Sequence, residues 1–352
     1  MKKWLNLAFF LYLFIFAIET IKTTSLALAP DIQNFLLHDM NPLKAIATGW
    51  FTTAVVQSSG VVGSITAAFA GNGILSLETA VYILIGASLG TTLTALLISI
   101  ITISQKRRDF RHGFEIGLCY ALYSALLVFI VFVLEFFFGA FSKTSLFLAS
   151  IIGDKIALGK VPNVVEIVTS PILNVLLEKT NNLIVFIFGF AILIFALRYI
   201  GKSILEVFGG EENTRKLINK HFDSKIKVYF LGAFLTAIIF SSSITISLLV
   251  PLAVTRVINL KKAIPFILGA DLGTTTDVLL ASIIIGNENA LATFLAFFLF
   301  GLIGTLIFLP NTRFLYKITK HTSKKLIHIS RKKALYFLLA FLTIPLLMIW
   351  IF

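Results

Sequence analysis

Cysteine is almost absent: Cys119 is the only one in 352 residues, and it sits inside an apolar run. That excludes an intrachain disulfide and a thiolate metal cluster. Charge is scarce too. Only 13% of residues are Asp, Glu, Lys or Arg, about half the share of a soluble domain. The chain lacks a Gly-x4-Gly-Lys-Ser/Thr loop, so it carries no P-loop nucleotide engine. The histidines, His38, His112, His221, His321 and His328, fall in or beside expected loops. They leave serines such as Ser58 and Ser241 without a base for hydrolysis, so no enzyme activity is expected.

What is present is apolar. Hydrophobic residues make up 58% of the chain, with a mean hydropathy of +0.96. Several runs approach the roughly 20 residues that cross a bilayer. The fold class is therefore an all-α polytopic membrane protein. The net charge of +13 does not indicate nucleic acid, because the cations are confined to short segments between apolar runs, the pattern of cytoplasmic loops. The first of those runs, Trp4–Ile18 behind Lys2 and Lys3, resembles a cleavable signal peptide. Glu19 and Lys22 interrupt it, however, and the repeat described next gives it a counterpart, which favours a retained first helix.

Residues 49–99 lie over 232–282 without a gap. Gly86 falls on Gly269, Ser58 on Ser241 and Thr91 on Thr274, a constant offset of 183 residues, and about 19 of 51 positions are identical. Two stretches dominate: TAVVQSSG against TAIIFSSS, and GASLGTTLTALL against GADLGTTTDVLL. A register kept across two separated motifs is the mark of an internal repeat.

The basic segments are 105–112, 198–227, 256–262 and 312–333. Positive-inside places all of them in the cytoplasm with Lys2 and Lys3. A first helix over 4–28 then leads out. If 43–71 crossed fully, the basic segment 105–112 would fall outside, so 43–71 is expected to dip in and return as a re-entrant hairpin with Gln57–Gly60 at its tip. The same rule makes 228–256 a second hairpin, entering from the cytoplasmic face. Two hairpins entering from opposite faces define inverted-topology repeats. The first spans 1–138: a transmembrane helix, hairpin 43–71, a broken helix at 74–104 and a helix at 113–138. An extracellular or interfacial connector covers 139–181. The second repeat spans 182–310: a helix at 182–205, hairpin 228–256, a broken helix at 262–286 and a helix at 290–310. A basic cytoplasmic loop and a terminal helix fill 311–352. The N-terminus is expected in the cytoplasm and the C-terminus outside.

Backbone that leaves the helix inside a membrane must be satisfied by protein, water or ligand. A hairpin tip exposes free amides at the start of its second half-helix, where the dipole favours an anion. Ser58, Ser59 and Gly60 at one tip and Ser241, Ser242 and Ser243 at the other would enclose a compact oxyanion. The alternative is that these serines only allow close packing. Gly86–Thr92 and Gly269–Thr275 likewise read either as a Gly-x3-Gly packing face or as an unwound, cation-binding segment. Asp271 and Asp277 favour the second reading, because an intramembrane carboxylate usually faces an ion path. Either could bind Na⁺ or carry a proton. Glu19 is expected to pair with Lys22. Glu78, Glu115, Glu135 and Arg198 lie near helix ends, where interfacial solvation is the default.

The paired motifs resemble the type II sodium/phosphate cotransporters and their bacterial relatives. That family repeats a QSSS motif, each copy followed by a Gly-x-Asn-x-Gly-Thr-Thr-like stretch. The resemblance implies Na⁺-coupled uptake of inorganic phosphate across the inner (plasma) membrane by elevator-like alternating access. It implies no cofactor beyond Na⁺ as coupling ion, and a member without the PhoU-like domain that many bacterial relatives append. The partners are phosphate, Na⁺ and the bilayer, with a homodimer as an option. Ser58, Ser59, Gly60, Ser241, Ser242 and Ser243 take the phosphate positions. Gln57, Ser88, Thr91, Thr92, Asp271, Thr274, Thr275 and Asp277 take the sodium positions. Gly60 replaces the last serine of the first motif and Phe240 the glutamine of the second. Ser88 and Asp271 stand at the usual asparagine positions, and Asp277 stands where another hydroxyl is common. These departures bear on the coupling ion and on phosphate itself. A different oxyanion, a proton-coupled cycle and a non-transporting scaffold or sensor are the other readings.

Overall fold

The computed structural model of the protein describes residues 2–36, 40–101, 107–153, 161–207, 209–220, 224–327 and 331–352. Every regular element among them is helical. The chain begins with α1 (Lys2–Ala27), α2 (Ala29–Leu36), α3 (Pro42–Val56), α4 (Ser59–Gly71), α5 (Leu77–Ile101) and α6 (Arg107–Phe138). It continues with α7 (Ala140–Gly153), α8 (Val161–Lys179), α9 (Asn182–Val207), α10 (Glu211–Lys220), α11 (Lys225–Ile239) and α12 (Ser242–Ser247). It ends with α13 (Leu249–Val254), α14 (Leu260–Gly273), α15 (Thr276–Ile285), α16 (Glu288–Phe308), α17 (Thr312–Ile327) and α18 (Arg331–Ile351). Six described stretches are long and apolar enough to cross a membrane: Lys3–Ala27, Leu77–Ser99, Arg111–Phe138, Asn182–Val207, Leu260–Ile285 and Glu288–Phe308. Each coincides with a span expected from the sequence. Gln105, Lys106, His38, His221 and His328 lie outside the described residues.

Glycine decides how the central helices meet. A Cβ on Gly49 would overlap the carbonyl oxygen of Ile83, one on Gly86 that of Ile46, and one on Gly90 that of Trp50. The same set recurs at the repeat offset: Gly232 against Phe266, Gly269 against Tyr229, and Gly273 against Ala233. These are backbone-on-backbone contacts that only glycine permits. In α5, which runs unbroken, they correct the expectation that Gly86 and Gly90 mark an unwound, cation-binding segment. The residue pairs also fix direction: positions 46 and 50 rise with 86 and 90, so α3 and α5 run the same way, as do α11 and α14.

The expected break in the first long helix is likewise corrected, since α5 runs uninterrupted through Gly86–Thr92. The second helix does part, at Thr274–Thr275 between α14 and α15. One physical difference is the hydroxyl at position 276. Where α5 has Leu93, the second copy has Thr276, whose hydroxyl donates to the Gly273 carbonyl at 3.0 Å, next to Thr275 donating to Leu272 at 2.8 Å. Side chains competing for carbonyls loosen the helical ladder.

The basic segments gather at one end of the bundle. Lys225 shares a cavity with Arg313 and Lys317, and another with Lys261 and Lys262. Arg111 shares one with Arg256, Lys320 and Lys324. Lys3 reaches the Glu206 carbonyl at 2.9 Å. The start of α11 therefore lies at the basic end. The start of α3 lies at the other end, beside the start of α5, where Asn41 donates to the Phe352 carbonyl at 3.0 Å.

Segment 139–181 is helical over its described part. Phe141, Ser145 and Ala149 of α7 are buried, and α7 packs on α16. Glu135 is not solvated as expected. It is 1% exposed and accepts from the Phe141 and Ser142 amides at 2.7 and 3.2 Å, capping the start of α7. Glu115 is also buried rather than interfacial. Glu19 does pair with Lys22, at 3.3 Å.

Candidate functional site

Both serine motifs break their helix in the same way. Gln57 closes α3 in the left-handed region (φ 61°, ψ 28°), and Phe240 closes α11 there (φ 58°, ψ 27°). Each is followed by an extended serine that caps the next helix. Ser58 Oγ accepts from the Val61 amide at 3.3 Å, and Ser241 Oγ accepts from the Ile244 amide at 3.2 Å. A non-glycine residue at positive φ costs about 1 kcal/mol or more and persists where its surroundings enforce it. The return helices differ in continuity. α4 is continuous, whereas the second return helix divides at Leu248 into α12 and α13. Pro251 explains the division, because it has no amide for the Ser247 carbonyl and its ring crowds that carbonyl.

The Ser242–Ser243 tip faces α5, α6 and α14. Ser243 and Thr91 hydroxyls lie 3.1 Å apart. The Tyr120 hydroxyl sits between Ser242 Oγ at 3.3 Å and Asp271 Oδ1 at 3.2 Å, and Tyr123 donates to Asp271 Oδ2 at 2.9 Å. Asp271 is 4% exposed and both tyrosines are fully buried. A carboxylate this deep is tolerable only with such donors. Ser88, the first-half counterpart of Asp271, meets α6 as well, through Ser124 Oγ at 3.3 Å.

The first tip meets α15. The Asp277 carboxylate lies directly over Gly60, where a Cβ would overlap it. Its Oδ1 accepts from the Val278 amide at 2.7 Å. Its Oδ2 is buried with no partner. Among the described residues six hydroxyls share that condition, and three of them join Asp277 in pairs at the repeat offset: Thr53 with Thr236, and Thr94 with Asp277. Buried polar atoms left unmatched cost about 1–3 kcal/mol each, and these two pairs place that cost at equivalent positions of both halves.

The structure thus brings Thr91, Asp271, Ser242 and Ser243 together, and it places Gly60 with Asp277. Among the described residues no hydrogen bond joins the two groups. Thr92 and Thr275 instead donate to the carbonyls of Leu89 and Leu272 in their own helices, each at 2.8 Å. Gln57 has an exposed side chain. Ser59 and Thr274 are buried at the start of α4 and in the α14–α15 break. Tyr120, Tyr123 and Ser124 were missed by the sequence reading. Their spacing along one face of an otherwise apolar helix was the available signal. Thr53 and Thr236 were legible too, since they open both copies of the serine motif.

Comparison with known proteins adds an independent line. A family model described as Na+/Pi-cotransporter matches residues 13–153 and 192–330. Sodium-dependent phosphate transport protein 2A of Rattus norvegicus is 24% identical over 96% of this chain and 65% of its own length, and the Ovis aries protein of that name gives the same figures. Sodium-dependent phosphate transport protein 2C of Homo sapiens is 35% identical over 120 residues, 33% of this chain and 20% of its own. The chain therefore spans about two thirds of the length of the 2A proteins it matches. No solved structure matches it.

Proposed function

The chain belongs to the Na+/Pi-cotransporter family, and from that membership we propose that it is a multi-pass secondary transporter coupling Na⁺ entry to the uptake of inorganic phosphate. The observation that carries the reading is the matched pair of helix breaks at Gln57 and Phe240, whose helices start from opposite ends of the bundle. Paired half-helices of this kind, re-entrant from opposite faces within inverted repeats 1–138 and 182–310, offer amide-rich N-termini to an anion at mid-membrane.

In this reading Ser58, Ser59, Gly60, Ser241, Ser242 and Ser243 form the phosphate-binding surface, with Tyr120 as a further hydroxyl donor beside Ser242. The cation chemistry centres on Asp277, whose unpartnered Oδ2 asks for a positive charge or a proton. Ser88, Thr91, Thr274 and Asp271 complete that set. Thr92 and Thr275 contribute least, because their hydroxyls are committed to helix carbonyls. Gln57 lies at the exposed mouth of the first tip. Na⁺ bound at Asp277 would offset the carboxylate beside the anion, so cation and phosphate would bind better together than apart, a coupling free energy between sites. Elevator-like movement of the tips against the rest of the bundle would carry both across. The basic end is cytoplasmic, as positive-inside requires. The N-terminus then lies inside and Phe352 outside the plasma membrane.

The test is uptake of radiolabelled phosphate by proteoliposomes containing the full chain, under an imposed Na⁺ or H⁺ gradient. Na⁺-driven accumulation is expected. Accumulation driven by H⁺ alone would reassign Asp277 as a proton carrier, and no uptake above empty vesicles would overturn the transport reading.

A further inference from the structure

Lys44 is the only Lys or Arg between Lys22 and Lys106. It is half-buried at the start of α3, at the end of the bundle opposite the basic segments, where positive-inside disfavours a cation. The Thr48 hydroxyl donates to the Lys44 carbonyl at 2.8 Å, so Lys44 lies one turn nearer that end on the same face of α3.

Thr48 lines a cavity of about 440 Å³ enclosed by α3, α4, α5 and α9, whose walls also include Thr52, Phe69, Ile83, Phe186 and Ile187. On α4 the lining runs from Val62 to Phe69, about 10 Å of helix. Near the end of α4 and the start of α9, the Phe69 and Phe186 rings stack 6.1 Å apart. α9 is a membrane span, and its Ile184, Ile187 and Phe188 are exposed, so the cavity opens sideways onto the hydrocarbon.

Polar atoms on the lining side chains are confined to three threonines. The hydroxyls of Thr48 and Thr66 are committed to the carbonyls of Lys44 and Val62, at 2.8 and 2.7 Å. The Thr52 hydroxyl alone is too little to hold a water, which takes about two to four polar partners. Apolar walls with a space between them forfeit dispersion contacts, and a hydrocarbon chain restores them. A lysine one turn nearer the surface sets its ammonium at headgroup level, as snorkelling lysines do. An apolar slot in the membrane with one cation above it matches the two ends of a phospholipid.

We propose that the cavity holds an acyl chain of a phospholipid from the leaflet opposite the basic end, with Lys44 binding the lipid phosphate, a site that requires only that the bundle lie in a bilayer, whichever solute it moves. The chain lies between α9 and α4, the helix that begins at the Ser58–Gly60 tip.

The experiment places the full chain in phosphatidylcholine nanodiscs doped with phosphatidylcholine carrying a diazirine midway along one acyl chain. On irradiation, residues 182–190 should be labelled several-fold more than the face of α6 around Phe129, which is exposed and outside the cavity. Thr52→Phe, which fills the cavity, should return that labelling to the Phe129 level. Ile65→Phe fills it from α4 and serves if Thr52→Phe elutes as aggregate. Lys44→Gln should weaken retention of one phospholipid, counted by native mass spectrometry, about two- to fivefold, the size of an interfacial ion pair. Lys44→Arg should keep it. Labelling of residues 182–190 no stronger than at Phe129, labelling unchanged by the cavity-filling variants, or equal retention by Lys44→Gln each overturns the proposal. So does protection of residues 182–190 together with disulfide-linked copies of Ile187→Cys in a Cys119→Ala background, which would assign the cavity to a second copy of the chain. None of these readouts depends on transport.

Discussion

Asp277 occupies the volume that a side chain at residue 60 would need, and Gly60 is what admits it. In the other half the arrangement is reversed. Ser243, the counterpart of Gly60, keeps its hydroxyl and directs it to Thr91, while Thr94 stands where the second half has Asp277. The two departures from the repeat are therefore one event: the oxygen that a serine tip would supply is replaced by a carboxylate from the facing helix.

Gly60→Ser should collide with Asp277 and destabilise the protein by about 1–3 kcal/mol, as overpacking does. Gly60→Ser combined with Asp277→Thr should recover most of that loss. A thermal-unfolding cycle measures the coupling, expected at about 0.5–3 kcal/mol for residues in contact. Strictly additive effects would mean that the two positions do not touch.

Asp277→Asn should raise the Na⁺ concentration for half-maximal phosphate uptake by about tenfold or more, the effect of losing a charged ligand. The apparent phosphate affinity at saturating Na⁺ should move far less. A Na⁺ titration identical to wild type would remove Asp277 from the cation site.

Thr91→Val and Thr92→Val form a matched pair on adjacent residues of α5. Thr91 faces Ser243, so its loss should impair uptake. The buried Thr92 hydroxyl bonds the Leu89 carbonyl of its own helix, so Thr92→Val should cost about 0.5–1.5 kcal/mol of stability and transport normally. Equal impairment would restore Thr92 to the site.

Tyr123→Phe removes the donor that Asp271 Oδ2 receives at 2.9 Å. A hydrogen bond to a charged group contributes about 1.5–3 kcal/mol, and a drop of that size is expected in thermal unfolding. Tyr82→Phe, which removes an oxygen without a partner, is the control and should cost little.

Topology is testable by labelling in a Cys119→Ala background. Cysteines at Met40 and Glu78 should react from one side of sealed vesicles, and cysteines at Lys225 and Lys262 from the other. Labelling of Met40 and Lys225 from the same side would refute entry of α3 and α11 from opposite faces.

The sequence by itself determined the helical membrane class, the positions of the six long apolar helices and the repeat, because these rest on hydrophobic length and a constant register that no tertiary contact needs to arbitrate; the terminal crossing it also expected in 311–352 is not among the six, where Leu339–Ile351 is a shorter apolar helix. It also located the two helix breaks. A QSSG or FSSS in an apolar run has few other uses, and the left-handed Gln57 and Phe240 lie where the motifs placed them. It could not decide between packing and ligation, since glycine serves close helix contact and bare backbone equally well. Only the tertiary structure assigned Gly86, Gly90, Gly269 and Gly273 to packing, because that depends on which carbonyl faces each glycine. The same holds for the partners of the carboxylates. Asp271 meets Tyr120 and Tyr123 of α6 across about 150 residues, and Asp277 meets Gly60 of α4 across more than 200. Separations of that size leave no local trace in the chain, so the chemistry of this site is set by how the two halves close on one another.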